Sequence, residues 1–179
     1  GGNSYYGIDI SVPDSPSIMW HITSNSIGFG EMGQTWSKPK IAFSKLNMDS
    51  NGAKPVLFFG GGYDIAKDNT GIGADDGIGR AVYMIDAQSG NLLWSLSPAA
   101  GSSTNTNFAG TDSIPAAIGI LDSDADGLVD RIYLGDTGGN VWRVDMPGDS
   151  PSSSTEPWTA FKLAELGSAT DVADDRRFF

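Results

Sequence analysis

The chain holds 179 residues, with 11 basic against 22 acidic side chains and a formal net charge of −11. An acidic chain without a Lys/Arg cluster has no footprint for a phosphate backbone and is repelled by anionic lipid heads, and no apolar run nears the roughly 20 residues of a membrane span; nucleic-acid partners and membrane insertion are therefore not expected. With no Cys and a single His21, disulfides, thiol nucleophiles, Cys/His zinc sites and a His-based triad fall away.

Helical apolar spacing is nearly absent. Short runs rich in Val, Ile, Tyr, Phe and Trp alternate with clusters of Gly, Asn, Asp, Ser and Pro, and Gly alone reaches 24 residues. This pattern predicts an all-β chain of short strands joined by turns. In chain order the strands fall near 3–10, 17–23, 39–46, 55–60, 80–86, 91–97, 114–121, 131–135, 140–145 and 158–163. No signal-peptide pattern precedes the opening strand, and the chain closes on Arg176-Arg177-Phe178-Phe179, so both ends read as cuts.

The strands repeat. Lys40–Gly60 lies over Pro115–Gly135 at an offset of 75, which places Leu46 on Leu121, Asp49 on Asp124, Gly52 on Gly127 and Gly60 on Gly135. Beyond that point the offset falls to 59, and Val82-Tyr83-Met84-Ile85-Asp86 lies on Val141-Trp142-Arg143-Val144-Asp145. The difference is an insertion, Asp64 to Gly79, whose Asp64, Asp68, Asn69, Asp75 and Asp76 are irregularly spaced and predict a solvated loop. A partial third copy opens the chain, with Tyr6-Gly7-Ile8-Asp9 matching Tyr83-Met84-Ile85-Asp86.

Four antiparallel strands per repeat make the blade of a β-propeller. The unit from Val82 to Trp94 resembles the blade signature of quinoprotein-type propellers. In it Ser89-Gly90 supplies a tight turn, Asp86 bonds the turn backbone, and Trp94 wedges between blades. The expected organisation is one partial propeller of about two and a half blades. Residues 1–37 give the outer half of a blade and a connection, 38–112 a full blade with the insertion, 113–165 a second full blade, and 166–179 lead into a further one. Pro147–Pro157 reads as a flexible turn and His21 as a surface or strand residue. Trp36, Trp94, Trp142 and Trp158 are assigned mainly to blade packing rather than to a sugar-binding face.

The chemistry concentrates in Asp122-Ser123-Asp124-Ala125-Asp126-Gly127-Leu128-Val129-Asp130, where carboxylates occupy positions 1, 3, 5 and 9 of an EF-hand-like loop with Gly at position 6. Alternate side chains of a curled loop converge, and hard oxygen donors in a flexible cage favour Ca²⁺. The candidate ligands are Asp122, Asp124, Asp126, Leu128 through its carbonyl, and Asp130. Position 12, a bidentate Glu in an EF-hand, is Tyr133 here, so weaker binding or a ligand from elsewhere is expected. The corresponding segment of the other blade, Asn47-Met48-Asp49-Ser50-Asn51-Gly52, keeps one carboxylate and reads as an ordinary turn.

Three stretches resemble the C-terminal propeller of the PilY-type family, the tip adhesins and biogenesis factors of bacterial type IV pili. They are Gln34-Thr35-Trp36-Ser37-Lys38-Pro39, the Asp-rich loop continued through Asp130-Arg131-Ile132-Tyr133-Leu134-Gly135-Asp136-Thr137-Gly138-Gly139-Asn140-Val141-Trp142-Arg143-Val144-Asp145, and Asp175-Arg176-Arg177-Phe178-Phe179. The resemblance implies a non-enzymatic, secreted, calcium-binding module at the pilus tip or outer surface. It also implies roles in pilus biogenesis, twitching motility and adhesion, with pilus subunits or a host or surface receptor as partners. The alternatives are a pyrroloquinoline-quinone dehydrogenase fragment, whose calcium would lie in the central channel, and a structural scaffold propeller without calcium dependence.

Overall fold

The computed structural model describes residues 2–179. Among these residues eleven strands form three sheets in chain order, antiparallel except where β7 joins the second. A hairpin pairs β1 (Ser4–Asp9) with β2 (Ser17–Thr23). The second sheet runs β3 (Lys40–Asp49), β4 (Gly52–Gly60), β5 (Val82–Asp86), β6 (Leu92–Ser97) and β7 (Asn105–Asn107). The third runs β8 (Gly119–Leu121), β9 (Arg131–Gly135), β10 (Asn140–Asp145) and β11 (Thr159–Glu165). Two short 3-10 turns, Ile65–Asn69 and Val172–Asp174, are the only helical segments among the described residues.

Side-chain alternation explains why the sheets stack. Successive residues of a strand point to opposite faces. On β4 and β5, Val56, Phe58, Val82 and Met84 face one way, joining Trp94 and Leu96 in a core shared with Ile132, Leu134, Trp142, Val144 and Trp158 of the third sheet. Phe59, Tyr83 and Ile85 face the other way and meet Ile22, with Tyr5 and Trp20 of the hairpin alongside. Every residue of β5 is buried, because a sheet covers each of its faces and a strand each of its edges. The chain is thus an all-β partial propeller in which a two-stranded hairpin, a five-stranded sheet and a four-stranded sheet stack in turn.

The aromatic wedges sit at the joints. Trp94 and Trp158 meet edge to face at 5.3 Å, and Phe108 and Trp142 at 4.7 Å, each pair bridging the second and third sheets. Trp36 differs: it stays about half exposed and stacks on Tyr63 at 4.4 Å. His21 lies exposed on β2, stacked on Tyr6 at 4.2 Å.

Four expectations change. The hairpin of β3 and β4 runs closer to its turn than the spacing suggested, reaching Asp49 paired with Gly52, with a bulge between Phe43 and Met48. The strand expected over 114–121 shortens to β8. Ile114 instead bridges Gly62, and the Ala116 carbonyl accepts from the Ser37 hydroxyl at 2.8 Å, so the start of that run serves the neighbouring blade. A fifth strand, β7, joins β6 in parallel; its Asn105 side-chain carbonyl accepts from the Ser95 and Ser97 hydroxyls, both at 2.8 Å. The insertion is solvated only in part: Asp68, Asn69 and Asp75 are exposed as expected, but other residues fold inward. Asp64, Lys67 and Asp76 are all buried. Asp64 caps the first 3-10 turn through the Ala66 N–H at 2.9 Å and accepts from Gly77 N–H at 2.7 Å, so burying it leaves its carboxylate bonded.

Candidate metal centre

The Asp-rich loop joins β8 to β9, whose ladder ends at Leu121 opposite Arg131. Below the turn the Asp130 N–H closes onto the Leu121 carbonyl at 3.2 Å. Two residues then take left-handed backbone: Gly127 at φ 88° and Ala125 at φ 63°. Gly adopts this region freely, whereas Ala125 is the only non-glycine residue in it among the described residues. The cost of that strain is of order 1 kcal/mol or more. It is accepted here because the turn brings alternate side chains inward.

Those side chains organise the loop. Asp122 accepts from Gly127 N–H at 2.8 Å and Asp126 N–H at 3.2 Å, and the Gly127 bond holds the Asp122 carboxyl below its usual range. Asp130 accepts from the Ser123 hydroxyl at 2.6 Å. Oxygens of Asp122, Asp124 and Asp130 all lie within 4.8 Å of one another. Two oxygens on opposite sides of a Ca²⁺ ion, each about 2.4 Å from it, are about 5 Å apart, so the span fits a single such cation. The donor set is all oxygen and mostly anionic, which suits Ca²⁺ and not a soft metal.

Of the five sequence-derived candidates, three are brought together. Asp126 points elsewhere: one oxygen accepts from Leu128 N–H at 2.8 Å, and the other lies 3.9 Å from the Lys45 ammonium of the neighbouring blade. Leu128 is half-buried beside it.

Sequence reasoning missed how the loop is anchored. Val129 is buried in the shared core, and its N–H donates to the Phe43 carbonyl at 2.8 Å, across the joint to the second sheet. The Phe43 carbonyl is open to it because the β3 bulge begins there. Only the single buried apolar residue at position 8 hinted at such an anchor.

The corresponding segment of the other blade is built differently. Asn47 donates to the Asp86 carboxylate at 3.0 Å and the Pro55 carbonyl at 3.3 Å, so it serves the blade's own outer turn. Asp86 accepts further from Gln88 N–H at 3.0 Å and Ser89 N–H at 2.7 Å, while Gly90 takes φ 73°. A Cβ at Gly90 would come within 2.6 Å of the Trp20 ring. Burial alone would raise the Asp86 carboxyl, but the bonds from Ser89, Asn47 and Gln88 outweigh it and lower it to about 2. A carboxyl lowered by folding stabilises the fold above its unfolded value, near 4, and ceases to as pH falls through its folded value. We expect the melting-temperature gap between wild type and Asp86→Asn to be widest at about pH 5 and to shrink steadily towards about pH 2. A gap that stays constant over that range would contradict this role for Asp86.

Comparison with known proteins fits this architecture. A family model described as the PilY1 beta-propeller domain matches residues 1–171. The type IV pilus biogenesis factor PilY1 of Pseudomonas aeruginosa strain UCBPP-PA14 is 27% identical over 159 residues, 87% of this chain and 12% of that protein. A PilY1 homolog of Xylella fastidiosa is 28% identical over 170 residues, 95% of this chain and 11% of the relative. The crystal structure of the Pseudomonas aeruginosa PilY1 C-terminal domain superposes with a TM-score of 0.62 at 22% identity, covering 98% of this chain and 34% of that one. At that identity the superposition speaks for the fold alone. The chain therefore spans about a tenth of the length of the curated relatives and about a third of the solved domain.

Proposed function

This chain belongs to the PilY1 β-propeller domain family, and from that premise we propose that it is a non-enzymatic, calcium-binding propeller segment of a type IV pilus factor at the cell surface. The observation that carries the calcium reading is the convergence of Asp122, Asp124 and Asp130 on a strained, self-capped turn. Asp122, Asp124 and Asp130 would hold the ion, and by its place in the loop the Leu128 carbonyl would add a neutral oxygen. Asp126 would complete the set by leaving Lys45. When bound, Ca²⁺ supplies positive charge that offsets carboxylates otherwise repelling one another. Val129 then ties the ordered loop to the Phe43 backbone, so the state of the loop is felt at the joint between blades. Action in pilus biogenesis, twitching motility and adhesion, through pilus subunits or a surface receptor, belongs to the same reading. The family match favours it over a quinoprotein dehydrogenase.

A ligand that binds only the folded state stabilises it by about 2.7 kcal/mol at a hundred times its Kd. For a chain of this size that raises the melting temperature by about 5–11 °C. A thermal-shift titration with millimolar Ca²⁺ should show such a rise, and Asp124→Ala should lose most of it. An unchanged wild-type melting temperature across the titration would sink the calcium reading.

A further inference from the structure

The insertion between β4 and β5 buries an amine against two carboxylates. Lys67, on the first 3-10 turn, has a side chain only 2% exposed. Its ammonium lies 2.7 Å from Asp112 Oδ1 and 3.4 Å from Asp76 Oδ1, and it also donates to the Ala74 carbonyl at 2.6 Å. Asp76 is 1% exposed and split in its duties. Its Oδ2 accepts from Ser113 N–H at 2.7 Å and the Thr137 hydroxyl at 2.6 Å, whereas Oδ1 has no hydrogen-bond partner. The three residues come from two connections and are fixed by both blades, since Thr137 follows β9 and Ser113 precedes β8. Lysine is almost never fully buried unless paired, and a buried cluster of one cation and two anions keeps a net charge away from water.

We propose that Lys67 and Asp112 form an intramolecular isopeptide bond, with Asp76 as the proton carrier. The ammonium of Lys67 passes one proton to Asp76 Oδ1, the oxygen with no other partner. The free amine attacks Cγ of Asp112 and a C–N bond forms. One Asp112 oxygen departs as water, taking the proton held by Asp76 and a second from the nitrogen. Ammonium plus carboxylate becomes amide plus water, Asp76 returns to carboxylate, and no outside reagent is consumed. The step removes one buried positive and one buried negative charge, and the remaining Asp76 keeps its bonds from Ser113 and Thr137. A cavity of about 160 Å³, lined by Lys67, Asp112 and Thr137 among others, adjoins the reacting groups and gives the water a way out. Holding amine and carboxyl in contact supplies the proximity that makes such an amide form within a chain though not between free molecules. The link would close a loop of 45 residues and join the insertion to the connection that leads into β8.

Peptide mapping of the natively expressed, folded protein decides the matter. Chymotrypsin cuts after Tyr63, Tyr83 and Phe108, so the peptides carrying Lys67 and Asp112 are not contiguous and cannot be joined by a missed cleavage. The expected product is the two peptides joined and one water lighter than their sum, with fragmentation placing the link on Lys67 and Asp112. Locating the link also separates it from a succinimide at Asp76-Gly77 or Asp126-Gly127, which loses one water without joining peptides. Asp76→Asn, which keeps an acceptor for Ser113 and Thr137, should give the two peptides separately. Separate, full-mass peptides from the wild-type protein would overturn the bond. A joined pair from Asp76→Asn would overturn the role of Asp76.

Discussion

Replacing Trp94 with alanine is expected to destabilise the protein by about 3–5 kcal/mol, the range for deleting a fully buried Trp. Trp94 has no exposed surface and stands where the second and third sheets meet, edge to face with Trp158 at 5.3 Å. Its indole N–H donates to the Thr106 hydroxyl at 3.0 Å, so truncation also strips a buried hydroxyl on β7 of its partner. The resulting cavity lies between two rigid sheets and has little freedom to collapse. Trp94→Phe keeps much of the ring volume and should cost visibly less. Urea unfolding of both variants checks this; a loss below about 1 kcal/mol for Trp94→Ala would show that the joint is not held by this wedge.

The second large effect belongs to Asp136, which has no exposed surface and serves as the acceptor for the turn between β9 and β10. It receives Gly138 N–H at 3.0 Å, Asn140 N–H at 2.9 Å, the Asn140 amide at 3.0 Å and the Trp142 indole N–H at 2.7 Å. Burial pushes its carboxyl up, even though bonds from Trp142 and Asn140 act in the opposite direction. Asp136→Ala would orphan several buried donors at about 1–3 kcal/mol each, so a loss of at least about 3 kcal/mol is expected. Asp136→Asn keeps one acceptor oxygen and should fall between alanine and wild type. The discriminating measurement is a double-mutant cycle with Trp142→Phe: coupling of at least about 0.5 kcal/mol is expected for residues in one network. Additive losses would mean that the indole bond contributes little.

The sequence reading succeeded where local patterning and tertiary demand coincide. Short apolar runs closed by Gly-containing turns marked strands near 80–86 and 140–145, which the structure keeps to within two residues as Val82–Asp86 and Asn140–Asp145. It failed where a segment is organised by something distant. β7 has no apolar alternation, because Asn105 is fixed by hydroxyls of β6 rather than by burial of a greasy face. The insertion looked solvated because its Asp residues lack a period, yet Lys67 finds Asp112 45 positions away, a pairing with no local trace. In the Asp-rich loop, the sequence pattern named Asp122, Asp124, Asp126 and Asp130 together, and the fold brings Asp122, Asp124 and Asp130 close. The pattern could not show that Lys45, on another blade, lies within 3.9 Å of Asp126.

β5 carries a consequence of its position. It has strands on both edges and sheets on both faces, so no fluctuation of a single hairpin uncovers it. Its amide protons can trade with deuterium only when neighbouring layers part together. In the spectrum of local openings that runs from fraying ends to complete unfolding, this strand lies at the slow extreme. Its exchange rate therefore serves as a built-in clock for how tightly successive blades of the stack hold one another.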